Sequence, residues 1–176
     1  VVDLTVDVPE ARRVAISDDL VDPPAAEEVV LDPDGAYAIV RQYAASTLRA
    51  VSLTDFDVTD LDVGDNPTDL DVTPDGRHAV AVARGSGELW LYDLADITAT
   101  PTVIDMPTDE VYGSIVMSPD NTKGLLYSTQ TGLARYGSWD RSDDSITVRS
   151  LVKPVDSVGV SPTGGTALIF HSRENG

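Results

Sequence analysis

Short runs of alternating apolar and polar residues recur along this chain, and each is followed by a turn motif and a second apolar run. The motif has an apolar residue, a polar residue, Pro, then Asp or Thr, then Gly or Asn, and its prolines are Pro33, Pro74, Pro119 and Pro162. Alternation predicts a strand with one buried face, so we expect four β-hairpins. The predicted buried pairs before the prolines are Val29/Leu31, Leu70/Val72, Ile115/Met117 and Val158/Val160.

The turn residues have separate roles. Proline fixes φ, the Asp side chain accepts hydrogen bonds from the turn backbone, and Gly or Asn adopts the left-handed conformation. A small residue stands five positions after each proline and a branched aliphatic residue six positions after. The small residue predicts close packing between neighbouring sheets. These positions hold Ala38/Ile39, Ala79/Val80, Gly124/Leu125 and Ala167/Leu168.

The four prolines are 41, 45 and 43 residues apart. A sustained period of this length is typical of β-propellers, whose blades have about four antiparallel strands each. Third strands are expected at 48–53, 89–94 and 133–139, and a more polar fourth strand at 56–63. The sequence therefore predicts an all-β protein with a single propeller domain over residues 1–176. Its repeats are approximately 1–22, 23–64, 65–107, 108–150 and 151–176, of which the first and last are partial.

One repeat resembles a known family. Residues 63–76 read Val-Gly-Asp-Asn-Pro-Thr-Asp-Leu-Asp-Val-Thr-Pro-Asp-Gly, and two apolar strands follow up to Leu94. This order resembles the repeat of YVTN-type, lactonase-like β-propellers, clearly from Val63 to Leu94 and partially in the other repeats. The resemblance implies propeller architecture. It leaves the activity open, because such propellers include lactone hydrolases, cell-surface proteins and modules with no known chemistry.

The number of blades has two interpretations. Propellers of this family usually have seven blades, whereas 176 residues hold about four repeats. Segments Val1–Val8 and Arg13–Ser17 look like the third and fourth strands of a preceding blade. The chain is then either an arc of a larger propeller or a closed four-bladed ring in which these strands complete the last blade. An arc would expose sheet edges, so we expect it to need a partner, such as the remaining blades of the propeller.

Composition and charge limit the function. The chain has 30 acidic and 12 basic residues, a net charge of −18 and no cysteine. This charge argues against nucleic-acid binding, which depends on Lys and Arg. The absence of cysteine excludes disulfides and thiol catalysis, and no stretch of these residues approaches the roughly 20 apolar residues of a membrane span. An acidic surface suits an extracellular, cell-surface or periplasmic protein.

Polar residues that follow the second strand of each repeat are the candidates for ligand binding, because they would converge on one face around the axis. Arginines there would either recognise an anionic ligand or hold acidic loops together. The histidines lack a metal-binding spacing, no G-x-S-x-G motif is present, and no catalytic residue is predicted. His78 is expected on a hairpin surface. The candidate ligand-binding residues are Arg41, Arg84, Gln130, His171 and Arg173.

The acidic run from Asp55 to Asp65 is the candidate metal site. Its residues Asp60, Asp62 and Asp65 offer carboxylate oxygens, which suit calcium. The EF-hand pattern is not met, because no Gly occupies the sixth position and no Glu the twelfth. The alternative is an edge strand that carboxylates protect from pairing with other strands. Beyond calcium no cofactor is expected.

Two functions are consistent with the sequence. The first is a non-enzymatic extracellular or periplasmic propeller that acts as a binding or scaffolding module for a protein or glycan partner. The alternative is a lactonase-like hydrolase that acts at the central channel of the intact propeller. Whether His171 and the candidate arginines line a deep central pocket would distinguish the two.

Overall fold

The fold is built from short antiparallel strands. The computed structural model describes residues 1, 7, 11–17, 25–42, 45–107, 111–129 and 133–171, and none of these lies in a helix. The first blade contains β1 (Ala26–Leu31), β2 (Tyr37–Gln42), β3 (Thr47–Ser52) and β4 (Val58–Asp62). The second contains β5 (Pro67–Val72), β6 (His78–Ala83), β7 (Glu88–Asp93) and β8 (Thr102–Asp105). The third contains β9 (Ser114–Met117), β10 (Lys123–Tyr127), β11 (Arg135–Asp140) and β12 (Ser145–Ser150), and the fourth contains β13 (Val155–Val160) and β14 (Ala167–His171).

Each blade is a sheet whose strands follow one another in chain order. Three sheets have four strands, and the fourth has two within the described residues. The first strands β1, β5, β9 and β13 lie side by side in succession, so the blades are arranged around a common axis. This arrangement confirms the predicted all-β propeller architecture.

The predicted turns are confirmed. Gly35, Gly76 and Gly164 have φ values of 73°, 69° and 73°, and Asn121 has 60°. In the second turn the amide of Gly76 donates to the carbonyl of Thr73 over 2.7 Å. The Asp75 carboxylate accepts hydrogen bonds from the Thr73 hydroxyl and the Arg77 amide. Pro, Asp and Gly thus act as the sequence indicates. The four turns lie at one end of the blades, here named the turn end, and the opposite end is named the loop end.

The core lies between the blades. Ala79 and Ala81 of β6 face the first blade, whereas Val80 and Val82 face the third. All four side chains are fully buried. The small residue of the third blade is needed for packing within its own sheet, because a Cβ atom on Gly124 would lie 2.8 Å from the Trp139 ring of the adjacent strand β11. The Trp139 side chain thus fills the space above Gly124 on this face of the blade.

The predicted burial of Val29 and Leu31 is wrong, because these side chains are 56% and 62% exposed. On the fourth blade Leu168 and Phe170 are likewise 62% and 53% exposed. The counterparts of Val29 and Leu31 in the second and third blades face the preceding blade. On that side of the first blade, among the described residues, only Val14 and Ile16 of the N-terminal segment join its small core. Leu168 and Phe170 occupy positions that in the second blade face the following blade.

The N-terminal segment and β14 do not pair within the described residues. Val1 and Arg12 exchange two backbone hydrogen bonds of 2.8 Å, and the Ile16 carbonyl accepts a hydrogen bond from Arg49 of β3. In the described part of the chain, β14 pairs with β13 alone. The pairing that a closed four-bladed ring requires is therefore not seen in these residues.

Candidate functional site

At the loop end Arg41, Arg84 and His171 lie close to the starts of first strands. Antiparallel pairing places the end of each second strand beside the start of its own first strand, as in Pro67 opposite Ala83 and Val155 opposite His171. The register shifts near these starts in the first, second and fourth blades. Each shift places two residues of the first strand opposite one of the second, as a bulge does.

Arg41 is held by acidic residues inside the fold. Its side chain is buried near the end of β2, where Nη1 donates to Glu27 over 2.6 Å and Nε donates to Glu28 over 3.0 Å. Nη1 also donates to the carbonyl of Pro67 in the second blade. Burial by itself would lower the pKa of Arg41, but the bonds and ion pairs with both glutamates outweigh it and raise the pKa. Arg41 thus neutralises two carboxylates at the start of β1, a strand and not a loop, and links the first blade to the second.

Asp69 makes the corresponding link between the second and third blades. Its Oδ2 accepts a hydrogen bond of 2.7 Å from the amide of Ile115, and the neighbouring Thr68 hydroxyl donates to the carbonyl of Gly113 over 2.8 Å. Burial raises the pKa of Asp69 to about 6, repulsion from Glu28 and Asp71 acts in the same direction, and the Ile115 amide opposes it. Asp69 is thus a carboxyl group that the fold holds in an environment unfavourable to its charge.

Sequence reasoning missed Asp69, although a signal was present. The residue five positions before each proline is polar in all four repeats: Glu28, Asp69, Ser114 and Ser157. A polar residue kept at one place in an otherwise apolar repeat indicates a hydrogen bond that the repeat needs. The pattern does not reveal which neighbouring blade supplies the partner.

Arg84 is a partly exposed cation of the loop end. It follows β6, and its backbone amide donates to the Asn66 carbonyl. A methyl group on Gly113 would lie 3.5 Å from the Cδ of Arg84, so the side chain reaches the start of the third blade. Within the described ranges its guanidinium makes no hydrogen bond of the lengths seen for Arg41.

His171 stays within its own blade. It is exposed at the end of β14, and its Nδ1 lies 2.9 Å from the Pro154 carbonyl, to which it donates. No hydrogen bond between the described residues joins it to Arg41 or Arg84. Gln130 and Arg173 lie outside the described residues. His78 lies at the turn end at the start of β6, partly exposed as predicted.

The predicted calcium ligands lie at the edge of the first blade. Asp60 and Asp62 are exposed on one face of β4, and Asp65 is exposed in the following loop. Asp60 forms an ion pair with Arg49 of β3. In the part of the chain that the structure describes, no three His, Cys, Asp or Glu side chains are grouped so as to hold a metal ion. Calcium binding stays a prediction.

Clefts at the rim and the turn end are among the concave surfaces of the described residues that could hold a small ligand, and one at the turn end between the first and second blades measures about 440 Å³. One of about 260 Å³ lies between β4 and the loop after β7 and includes Asp62, Tyr92 and Thr98. Another of about 370 Å³ lies at the turn end between the second and third blades. Neither contains Arg41, Arg84 or His171.

Comparisons with known proteins identify the fold. No protein-family model matches the sequence, and no curated protein is similar to it in sequence. The structure is similar to hydrazine synthase from Kuenenia stuttgartiensis, with a TM-score of 0.71 and 17% identity over 91% of this chain and 46% of that chain. The chain has the β-propeller fold.

Two further solved structures are similar. A putative 6-phosphogluconolactonase from Bacteroides uniformis has a TM-score of 0.67 and 14% identity over 93% of this chain and 52% of that chain. Dihydro-heme d1 dehydrogenase NirN, in complex with DHE, has a TM-score of 0.65 and 15% identity over 84% of this chain and 33% of that chain. The chain thus spans between a third and about half of the structures it matches. At these identities the likeness shows the propeller fold, whereas no family model supports the narrower YVTN assignment.

No helix among the described residues is long and apolar enough to cross a membrane.

Proposed function

We propose that this chain is a non-enzymatic β-propeller unit that binds further propeller blades through its two end faces and presents its loops to a protein or glycan partner outside the cytoplasm. The observation that carries the proposal is the exposure of apolar side chains at both ends of the blade series. Val29 and Leu31 are exposed on the first blade, and Leu168 and Phe170 on the fourth, each by more than half.

The interior blades show what covers such faces. The residues equivalent to Leu31 and Val29 are fully or partly buried in the second and third blades because another blade packs on them. Complete burial of one Leu or Phe side chain is worth about 1.5–3 kcal/mol. Two such residues on each end face therefore favour association with a complementary apolar sheet.

The outer edge of β14 also supports a further propeller blade as the binding partner. In the first three blades the outer edge of the second strand pairs with a third strand, namely β3, β7 or β11. Within the described residues the edge of β14 has no such strand. A strand from a propeller blade would satisfy its backbone groups, and blades of the same type would cover Leu168 and Phe170.

The net charge and the contacts of Arg41 support the proposed partner, location and lack of catalysis. A net charge of −18 disfavours nucleic acid as a partner, which leaves a protein or glycan for the loops. The same acidic surface suits an extracellular, cell-surface or periplasmic environment. Arg41 is engaged with Glu27 and Glu28, so the loop end lacks one of the cations that a catalytic channel would use.

Sedimentation velocity over a range of protein concentrations tests the proposal. We expect the protein to associate as its concentration rises, and a Leu168→Lys/Phe170→Lys variant to sediment as a monomer. Val152→Lys is the matched control, because Val152 is 96% exposed and lies outside this face. A wild-type protein that remains monomeric at every concentration would contradict the proposed end-face binding.

A lactonase-like hydrolase is the second candidate function. It is favoured by the likeness to the putative 6-phosphogluconolactonase and by Arg84, whose guanidinium is available to an anionic substrate group at the loop end. Lactone hydrolysis followed in a pH-stat tests this candidate. If it is correct, Arg84→Gln lowers kcat/KM by about tenfold or more, whereas Arg149→Gln, on exposed β12, leaves it unchanged. Absence of hydrolysis by the wild-type protein would exclude this candidate for the lactones tested.

A further inference from the structure

The turn-end cleft between the second and third blades collects positive charge in an acidic protein. The cleft measures about 370 Å³, and Arg77, His78 and Arg141 line it together with Asp75 and Asp140. The chain has 12 Lys and Arg and two His residues in total. Two arginines and one of the histidines therefore converge on one concave surface of a chain with a net charge of −18.

Most guanidinium N–H groups of Arg77 and Arg141 donate no strong hydrogen bond within the described residues. Arg77 is exposed, and within the described ranges its side chain makes no hydrogen bond or ion pair. Arg141 is partly exposed, its Nη1 is 3.5 Å from the Asn121 carbonyl, and its Nη2 is 3.4 Å from Nδ1 of His78. Contacts of this length are at the limit of hydrogen bonding, so the guanidinium keeps capacity for a stronger acceptor.

His78 adds a third donor to the cleft. Its Nδ1 is 3.4 Å from Nη2 of Arg141, at the limit of hydrogen bonding. The imidazole ring therefore keeps the capacity to donate a hydrogen bond to an anion that binds beside Arg77 and Arg141.

The two carboxylates of the cleft already have partners. Asp75 accepts from the Thr73 hydroxyl over 2.6 Å and from the Asn121 amide over 2.5 Å. Asp140 accepts from Lys123 over 2.6 Å and from the Ser142 hydroxyl over 2.7 Å. The bond from Lys123, followed by those from Ser142, lowers the pKa of Asp140. Among the charged side chains that line the cleft, two arginines match two carboxylates, so the cleft has no negative excess although the net charge of the chain is −18.

We propose that this cleft binds a phosphate-type oxyanion, with Arg77 and Arg141 as its charged donors and the His78 ring as a further hydrogen-bond donor. Arginine suits this role because its planar guanidinium can donate two parallel hydrogen bonds to the oxygens of one anion. The site lies at the opposite end of the blades from Arg84 and His171, so it is separate from the candidate site at the loop end.

Proton NMR of the histidine rings tests the proposal directly. The chain has two histidines, and His171 at the loop end serves as an internal reference for His78. Inorganic phosphate and, separately, phenyl phosphate are titrated at pH 7.5 and constant ionic strength. We expect the His78 ring signals to shift along a saturating curve while those of His171 stay in place. The tighter of the two probes then shows whether the site takes a free or an esterified phosphate.

Matched variants locate the binding. Arg77→Gln should weaken binding by about tenfold, because one charge-assisted interaction is lost. This variant is not expected to disturb folding, since the Arg77 side chain is exposed. Arg149→Gln removes the same charge from exposed β12 and should bind phosphate like the wild type. Equal shifts of both histidines, shifts that do not saturate, or unchanged binding by Arg77→Gln would each overturn the proposal.

Discussion

Substitution of Asp69 by Asn should stabilise the protein at neutral and alkaline pH. The Asn side chain keeps an oxygen that can accept the hydrogen bond from the Ile115 amide, and it removes the charge that Glu28, Asp71 and burial disfavour. The pKa of Asp69 is raised from 3.8 to about 6, which corresponds to about 3 kcal/mol. Because Asp69 is only partly buried, we take this figure as the upper limit of the gain.

The sign and the pH range follow from linkage. A carboxyl group whose pKa is higher in the folded state contributes stability in its neutral form. That contribution is complete below pH 3.8 and is lost as the pH rises through about 6. The advantage of Asp69→Asn should therefore be largest near pH 8. At pH 5, above the isoelectric point of about 4.1, it should be roughly half as large.

Urea denaturation at pH 5 and pH 8 measures the effect, since the free energy of unfolding is obtained from the transition midpoint and slope. Asp105→Asn is the control, because Asp105 is an exposed residue of β8. Asp105→Asn should change the free energy of unfolding only slightly, and by a similar amount at both pH values. If Asp69→Asn destabilises the protein at pH 8, the charged carboxylate is a net stabilising partner of Ile115 and the reasoning from burial is refuted.

Three further predictions concern the turns, the core and calcium. Gly76→Val should cost roughly 1–3 kcal/mol in urea denaturation, because φ is +69° and a Cβ atom would lie 3.1 Å from Pro33; an unchanged midpoint would argue against this turn geometry. Gly124→Ala should cost about 1–3 kcal/mol through overpacking against Trp139. Gly159→Ala should cost much less stability, because no atom lies within 4 Å of a Cβ atom at this position. Equal losses in the free energy of unfolding for the two variants would contradict this account of the core. Calcium should raise the melting temperature slightly relative to chelator at low ionic strength, and Asp62→Asn should reduce this rise. If the melting curves with calcium and with chelator coincide, the acidic residues only keep the protein surface hydrated and bind no calcium.

The candidate site could be predicted only in part. The sequence located Arg41, Arg84 and His171 after second strands, and the structure places them at one end of the blades. It did not indicate that Glu27 and Glu28 engage Arg41 or that Asp69 bonds the next blade, because these partners depend on distances between blades. A sequence pattern describes one strand at a time, whereas the ion pairs of Arg41 need the bulge near Glu27 and the approach of Pro67.

The sequence by itself determined the hairpins and their turns. Pro restricts its own φ and Gly accepts the positive φ that the turn requires at no steric cost, so the turns at Gly35 and Gly76 follow from local residues. Alternation likewise determined which residues share a face of each strand. Only the tertiary structure decided which faces are buried: Leu70 is covered and Val29 is exposed, although each stands four residues before the proline of its repeat. The physical reason is that burial requires a second surface, and for each blade that surface belongs to its neighbour.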